Sequence, residues 1–291
     1  MTADVLDVTV VIPTLGRPVQ LRSCLDSLSA CRPRAAEILV VDQSGAEAVR
    51  ELVESFTVIG ATLVPCRGRG VALGRNVGLR VAAHEVVLIT DDDCTVAPEW
   101  VATASALIAE NPEGIVTGRV LPLGDPEAVP SWKDDERRHD FTGEVHGGAL
   151  FPNNMVLPRT RVLEAGGFDE AFGPAEAAED NEFCYRWLRA GRSLRYEPSL
   201  VVWHHDWRTP EQLRRLYVAY ARGQGFFYAK HLCRGDVVMA RWLLRDLYWA
   251  LRGFASAAVR RRPGWTDPRR GILRGLPGGF VHGLHVYRGS R

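Results

Sequence analysis

Lysine is almost missing from this 291-residue chain: Lys133 and Lys230 are the only two, so 34 of the 36 basic residues are arginine. Planar guanidinium forks suit phosphate and carboxylate partners better than ammonium point charges do. The six cysteines (Cys24, Cys31, Cys66, Cys94, Cys184, Cys233) form no CxxC pair. That argues against a zinc site or a disulfide framework and for thiols kept reduced in a cytosol. Long apolar runs are missing too. No stretch reaches the ~18–20 uncharged apolar residues that span a bilayer, and the most lipophilic window, Val237–Val259, is broken by Arg241, Arg245, Asp246 and Arg252. The first apolar run is preceded by Asp4 and Asp7 with no basic region, so it does not read as a signal peptide. The expectation is a cytoplasmic protein, at most peripheral on the inner face of a membrane.

Net charge is also small, +1, but the sum hides a division. Residues 1–206 hold 19 basic and 31 acidic side chains, whereas residues 207–291 hold 17 and 4. An acidic body of −12 thus carries a basic segment of +13. The 46% hydrophobic and 24% charged content is that of a globular protein, not a disordered one.

The first half alternates β-branched apolar runs with helical patterns: strands at Val8–Leu15, Ile38–Asp42, Ala61–Cys66 and Val86–Thr90. Helices are expected over Val19–Ala30, Ala46–Phe56, Val71–Ala83 and, after Pro98, Glu99–Glu110. The fold class is α/β: a mostly parallel sheet flanked by helices, with ligands bound outside the carboxyl ends of its strands. Asp42 and Asp91–Asp93 fall at that edge. The second half is less regular. A strand is expected at Ile115–Leu121, a loop-rich stretch over Pro122–Val145, and helices at Arg159–Ala165 and Asp180–Ala190. Leu194–His205 reads as a strand, and Pro210–Leu232 and Asp236–Arg262 as long helices. Residues 1–206 are expected to form one domain that changes character at about residue 120. Residues 207–291 form a basic helical extension.

Four clusters could carry chemistry. Residues i and i+2 of an extended chain share a side, so Asp91 and Asp93 could reach one ligand, and carboxylates there suit Mg²⁺ or Mn²⁺; a solvated helix-capping turn is the plain alternative. The glycine-rich Arg67–Asn76 segment misses the GxGxxG spacing, though Arg75 at a helix start could touch a diphosphate. Glu179-Asp180 opens a helix, either complementing its dipole or supplying a general base. His204-His205 ends a strand, where an imidazole is either a surface or core histidine or a further metal ligand.

The series VVIPTLGRP, VVDQSG, LGRNVGL, LITDDDCTV, FPNNMVLPR, GGFDEAFG, AEDNEFCYRWLRAG and VVWHH, in that order over residues 8–205, resembles the family 2 glycosyltransferases of the A-type fold. The resemblance implies an inverting, metal-dependent transferase that moves a sugar from a nucleotide-diphosphate donor to an acceptor hydroxyl. Pro13, Thr14, Arg17 and Asp42 would line the nucleoside pocket, and Arg75, Asp91 and Asp92 would complete the donor site. Asp93, with Asp91, would hold Mn²⁺ or Mg²⁺. His204 or His205 would match a late histidine near metal and diphosphate, the tandem leaving the register open. Asn154 and Trp203 would lie on the acceptor side, and Asp180, beside Glu179, would be the base. The acceptor class (glycan, lipid-linked or small molecule) stays open. Gln43, Phe151-Pro152 and Pro158 depart from the family's pattern. A nucleotidyltransferase or nucleotide-sugar hydrolase would use the same diphosphate site, and a non-catalytic nucleotide-sugar-binding module would lack only the chemistry.

At helical spacing, Val237–Val259 sets Arg241, Arg245 and Arg252 on one stripe amid Trp242, Leu243, Leu244, Leu247, Trp249, Leu251 and Phe254, before Arg260-Arg261-Arg262. Such a helix either packs on the catalytic domain or a second subunit, or lies on an anionic membrane surface. Nucleic acid is not an expected partner, because the acidic body would repel it.

Overall fold

The structure, a computed structural model, describes residues 5–143, 148–259 and 268–288. The chain divides into two compact units. One comprises the residues up to Asp169 together with Phe183–Asp206; the other comprises Glu170–Glu182 and the residues from Trp207 onward.

In the first unit, β1 (Val5–Thr14) pairs in parallel with β2 (Arg34–Asp42) and β4 (Val86–Ile89), and β2 with β3 (Ala61–Pro65). Their continuous apolar runs have a simple cause: both faces are covered. Val10 and Ile12 of β1, Val40 of β2 and Leu88 of β4 enter one core cluster. Their alternate neighbours Val11, Val41, Val87 and Ile89 enter a second on the other face, as a side-chain period of two requires. Helices α1 (Pro18–Ala30), α2 (Glu47–Glu54) and α4 (Trp100–Glu110) give Leu21, Leu25, Leu52 and Trp100 to the first cluster. Leu79 of α3 (Val71–Val81) joins the second. Each fully buried Leu or Ile contributes roughly 1.5–3 kcal/mol.

The rest of the sheet is mixed, with order β3-β2-β1-β4-β8-β6-β9-β5 among the described residues. Here β5 is Cys94–Val96, β6 Ile115–Leu123, β8 Met155–Pro158 and β9 Leu194–His205. Strand β8 runs antiparallel to both β4 and β6, while β6 and β9 are parallel. The sequence pattern does not reveal β5 or β8, because three or four residues are too few to show a period. Within the stretch expected to be loop, Lys133 bridges to Val120, and β7 (His139–Phe141) pairs with β9. Helix α5 (Arg159–Glu164) follows β8 directly, and α6 (Glu179–Arg189) belongs by its first turn to the second unit and by the remainder to the first.

The second unit contains α7 (Pro210–Cys233), α8 (Val238–Val259) and α9 (Pro268–Tyr287). A capping box of Thr209 and Gln212 starts α7. Helix α9 is absent from the sequence reading because Pro277 and five glycines read as breakers. Packing overrides that propensity. A Cβ at Gly271, Gly275, Gly279 or Gly283 would come within 2.9 Å of an α7 backbone or alanine atom, so these glycines, four apart on one face, let the two backbones touch. No helix among the described residues is long and apolar enough to cross a membrane. Arg260–Arg262 and the side chain of Phe254 lie outside the described residues.

Candidate functional site

Strand β4 ends at Ile89, and Asp91–Asp93 form a turn closed by the Cys94 amide donating to the Asp91 carbonyl at 3.1 Å. They are therefore not extended, and strand alternation does not set their directions. The turn leaves Asp91 partly exposed and buries Asp92 and Asp93. Asp92 faces the end of β1. Its Oδ2 accepts from Thr14 Oγ1 at 2.6 Å and from Arg17 Nε at 3.0 Å, and Arg17 Nη2 lies 2.5 Å from Oδ1. Burial lifts the Asp92 carboxyl to about 7, with Asp93 and Asp91 adding to the effect while Arg17 and Thr14 oppose it. Burial works against the Arg17 charge as well, yet the three carboxylates outweigh it and hold that guanidinium above its usual value.

Arg17 also reaches Asp93 Oδ2 at 3.3 Å, and Arg75 Nη2 reaches Asp91 Oδ1 at 3.3 Å. The Arg75 guanidinium lies 5.5 Å from the centre of the Phe168 ring. Phe168 is held by Asn76, whose Nδ2 donates to its carbonyl at 2.7 Å and whose Oδ1 accepts from its amide at 3.0 Å. Asn76 and Phe168 escaped the sequence reading as site residues, although each lies inside a motif that carries the resemblance.

Asp42 sits buried at the end of β2 and accepts from the Ser44 amide, the Ser44 hydroxyl and the Gly45 amide at 2.6–3.0 Å. These bonds shape the loop after β2 (a local Asx turn). Pro13 meets the glycine-rich helix start: a Cβ at Gly74 would stand 2.9 Å from Pro13 Cβ. Gln43 Nε2 donates to the Gly70 carbonyl at 2.9 Å. Gly74 thus serves close packing beside the end of β1.

The tandem histidines part company because neighbouring residues of a strand face opposite sides. Strands β5 and β9 pair with Cys94 opposite His204. His204 is buried, with Nε2 3.5 Å from Asp93 Oδ1 and Nδ1 3.1 Å from the Ser131 carbonyl. His205 turns its Nε2 to Thr95 Oγ1 at 3.3 Å, while its amide donates to the Asp93 carbonyl at 3.0 Å. Burial lowers the pKa of the His205 ring.

Ligand atoms of Asp93, Cys94 and His204 all lie within 4.8 Å of one another. Burial, reinforced by Asp93 and Asp91, pushes the Cys94 thiol well above its usual value, and its Sγ lies 3.9 Å from Asp93 Oδ1. Carboxylate oxygen with imidazole nitrogen is a donor set that suits Mn²⁺ and accommodates Mg²⁺. Asp93 and His204 fit a divalent cation, while Asp91, in the same turn, is paired with Arg75.

Asn154, expected on the acceptor side, lies instead in the core. Its Oδ1 accepts from Trp100 Nε1 at 2.8 Å, and its Nδ2 donates to the Arg119 and Leu200 carbonyls at 2.9 and 2.8 Å. The buried amide thus bridges α4, β6 and β9 and holds them together rather than facing a ligand. Trp203 is half-buried against the same core cluster.

In the second unit, the first turn of α6 presents Glu179 and Asp180 differently. Glu179 is buried and accepts from the Ala178 amide at 3.2 Å, while Asp180 is half-buried. The turn is fastened to α7. Glu182 Oε1 accepts from Lys230 Nζ at 2.6 Å and lies 3.0 Å from His231 Nε2, all three being buried. Asn181 Nδ2 donates to Gln224 Oε1 at 3.4 Å.

Residues 9–157 match the model of glycosyl transferase family 2. A pre-mycofactocin glycosyltransferase of Mycobacterium tuberculosis is 30% identical over 221 residues, covering 72% of this chain and 44% of that protein. The chain therefore spans less than half the length of that relative. A glucosyl-dolichyl phosphate glucuronosyltransferase of Haloferax volcanii is 26% identical over 182 residues, 58% of each chain. Among solved structures, a mannosyltransferase from Pyrobaculum calidifontis, in complex with GDP-Man and Mn²⁺, shares the fold with a TM-score of 0.62 at 18% identity. The match covers 95% of this chain and 86% of that one.

Proposed function

Because the chain belongs to glycosyl transferase family 2, we propose that it transfers a sugar from a nucleotide-diphosphate donor to an acceptor hydroxyl with inversion at the anomeric carbon. The observation that carries this reading is the pairing of Asp93 with His204 at the carboxyl edge of the sheet, flanked by Arg17 and Arg75. A divalent cation there, Mn²⁺ or Mg²⁺, would neutralise the donor's diphosphate and the charge it gains on leaving.

The chain's own residues divide the remaining work. The β1 and β2 ends, with Pro13, Thr14 and Asp42, form the nucleoside side of the site. Arg75, braced on Phe168, offers a fixed guanidinium to phosphate oxygens. Arg17 and Thr14 hold Asp92, which sets the turn carrying Asp91 and Asp93. Asn154 acts by positioning β6 and β9. Asp180 is the base: its carboxylate takes the acceptor's hydroxyl proton as the oxygen bonds to the anomeric carbon, and the bond to the diphosphate oxygen breaks. Both carboxylates accept from a neighbouring amide, Glu179 from Ala178 at 3.2 Å and Asp180 from Asn181 at 2.8 Å, and the buried Glu179 is the less accessible of the two. In this reading residues 1–206 supply the residues of catalysis.

Asp180→Asn tests the assignment. The variant should bind nucleotide sugar as the wild type does and lose transfer; transfer at near wild-type rate would remove Asp180 as the base. A nucleotidyltransferase would instead yield nucleotide sugar as its product.

A further inference from the structure

Helix α8 has two unlike faces. Met239, Trp242 and Ala250 are buried, and Asp246 Oδ2 accepts from the Tyr228 hydroxyl of α7 at 2.6 Å. The opposite face is open. Val237, just before the helix, is 77% exposed, Leu244 67%, Tyr248 55% and Leu251 59%. At about 100° per residue Leu244, Tyr248 and Leu251 fall within about 60° of the helix circumference. Arg241, Arg245 and Arg252, all exposed, fill roughly the next 40°. Trp249, 55% exposed, lies beyond the arginines, with Tyr248 packed edge-on against it and Arg252 over its ring.

We propose that this face is a docking surface for an anionic lipid bilayer, on which α8 lies in the plane of the interface. Three observations select that occupant. An apolar strip and a cationic strip run side by side along one face, and a bilayer presents acyl chains and phosphates in the same juxtaposition. Aromatic rings flank the cations, where Trp and Tyr serve best at a water–lipid boundary. The segment from residue 207 carries 17 basic against 4 acidic residues, so pairing this face with its own copy would bring two strongly cationic surfaces together, whereas anionic lipid neutralises them. The helix is not apolar enough to cross, which leaves the interfacial position. The inference is independent of the glycosyl-transfer reading.

The test is co-flotation of the whole chain with vesicles of phosphatidylcholine, alone or mixed with phosphatidylglycerol. The chain should float with the mixed vesicles at low salt, release at high salt, and stay behind with pure phosphatidylcholine. Reversing the stripe (R241E, R245E and R252E together) should lower partitioning by at least on the order of a hundredfold. L244D with L251D should also lower it strongly. Both variants change exposed side chains, and circular dichroism should show each of them folded at the temperature of the flotation. A wild-type chain that stays at the bottom of the low-salt gradient overturns the proposal. So does equal partitioning of the charge-reversed variant. A wild-type dimer in sedimentation that the same reversals dissociate, without flotation, would assign the face to a second copy instead.

Discussion

His204 Nε2 stands 3.5 Å from Asp93 Oδ1, brought there by the β5–β9 pairing that sets Cys94 opposite His204. Since adjacent strand residues face opposite ways, that register leaves His205 on Thr95. Loss of the two imidazoles should therefore have unequal effects. Outer-shell partners of a metal alone are worth about 10–100-fold in affinity, so His204→Ala should weaken Mn²⁺ binding at least about tenfold. His205→Ala should change it little. Free Mn²⁺ measured by electron paramagnetic resonance distinguishes the two, and equal losses would place the metal elsewhere.

The Arg17–Asp92 pair should matter to folding as well as to the site. Asp92 is fully buried, so Arg17→Met leaves its carboxyl with Thr14 as donor and without the guanidinium that opposes the effect of burial. The expected cost is about 3 kcal/mol in urea unfolding. Replacing both partners, Arg17→Met with Asp92→Asn, should recover much of that loss, because the uncompensated charge goes with the second change. A double variant as unstable as the single one would contradict the pairing.

Neighbouring glycines of α9 should behave oppositely. An added Cβ at Gly279 would come within 1.8 Å of the Arg222 carbonyl oxygen, a backbone atom that cannot give way. At Gly278 the nearest atom is Arg222 Nη1 at 3.1 Å, the far end of a flexible side chain. Gly279→Ala should cost about 1–3 kcal/mol. Gly278→Ala should be neutral or stabilising by roughly 0.5–1 kcal/mol, because it removes backbone freedom from the unfolded chain. Thermal melts of the two variants read the difference directly.

These particulars show where the sequence is informative. The apolar runs of β1, β2 and β4 announce a sheet covered on both faces, and β9 lies where its pattern puts it. The motifs VVDQSG, LGRNVGL and LITDDDCTV hold Asp42, Arg75 and Asp91–Asp93, and the last of them ends β4 in the acidic turn. What stays hidden depends on contacts distant in sequence. Strand β8 is too short to show a period, α9 is helical only because its glycines meet α7, and Asn154 is spent on Trp100, Arg119 and Leu200. The tandem histidines are ambiguous until the β5–β9 register separates them.

Metal-dependent recognition of a nucleotide sugar at the Asp93–His204 edge is the central proposal. Calorimetric titration of the whole chain with a panel of nucleotide-diphosphate sugars, in Mn²⁺ and again in EDTA, tests it most directly. At least one donor should bind saturably in Mn²⁺, and that binding should be lost in EDTA and in Asp93→Asn. Donor binding of undiminished affinity in EDTA, or no binding by any donor in Mn²⁺, would contradict it.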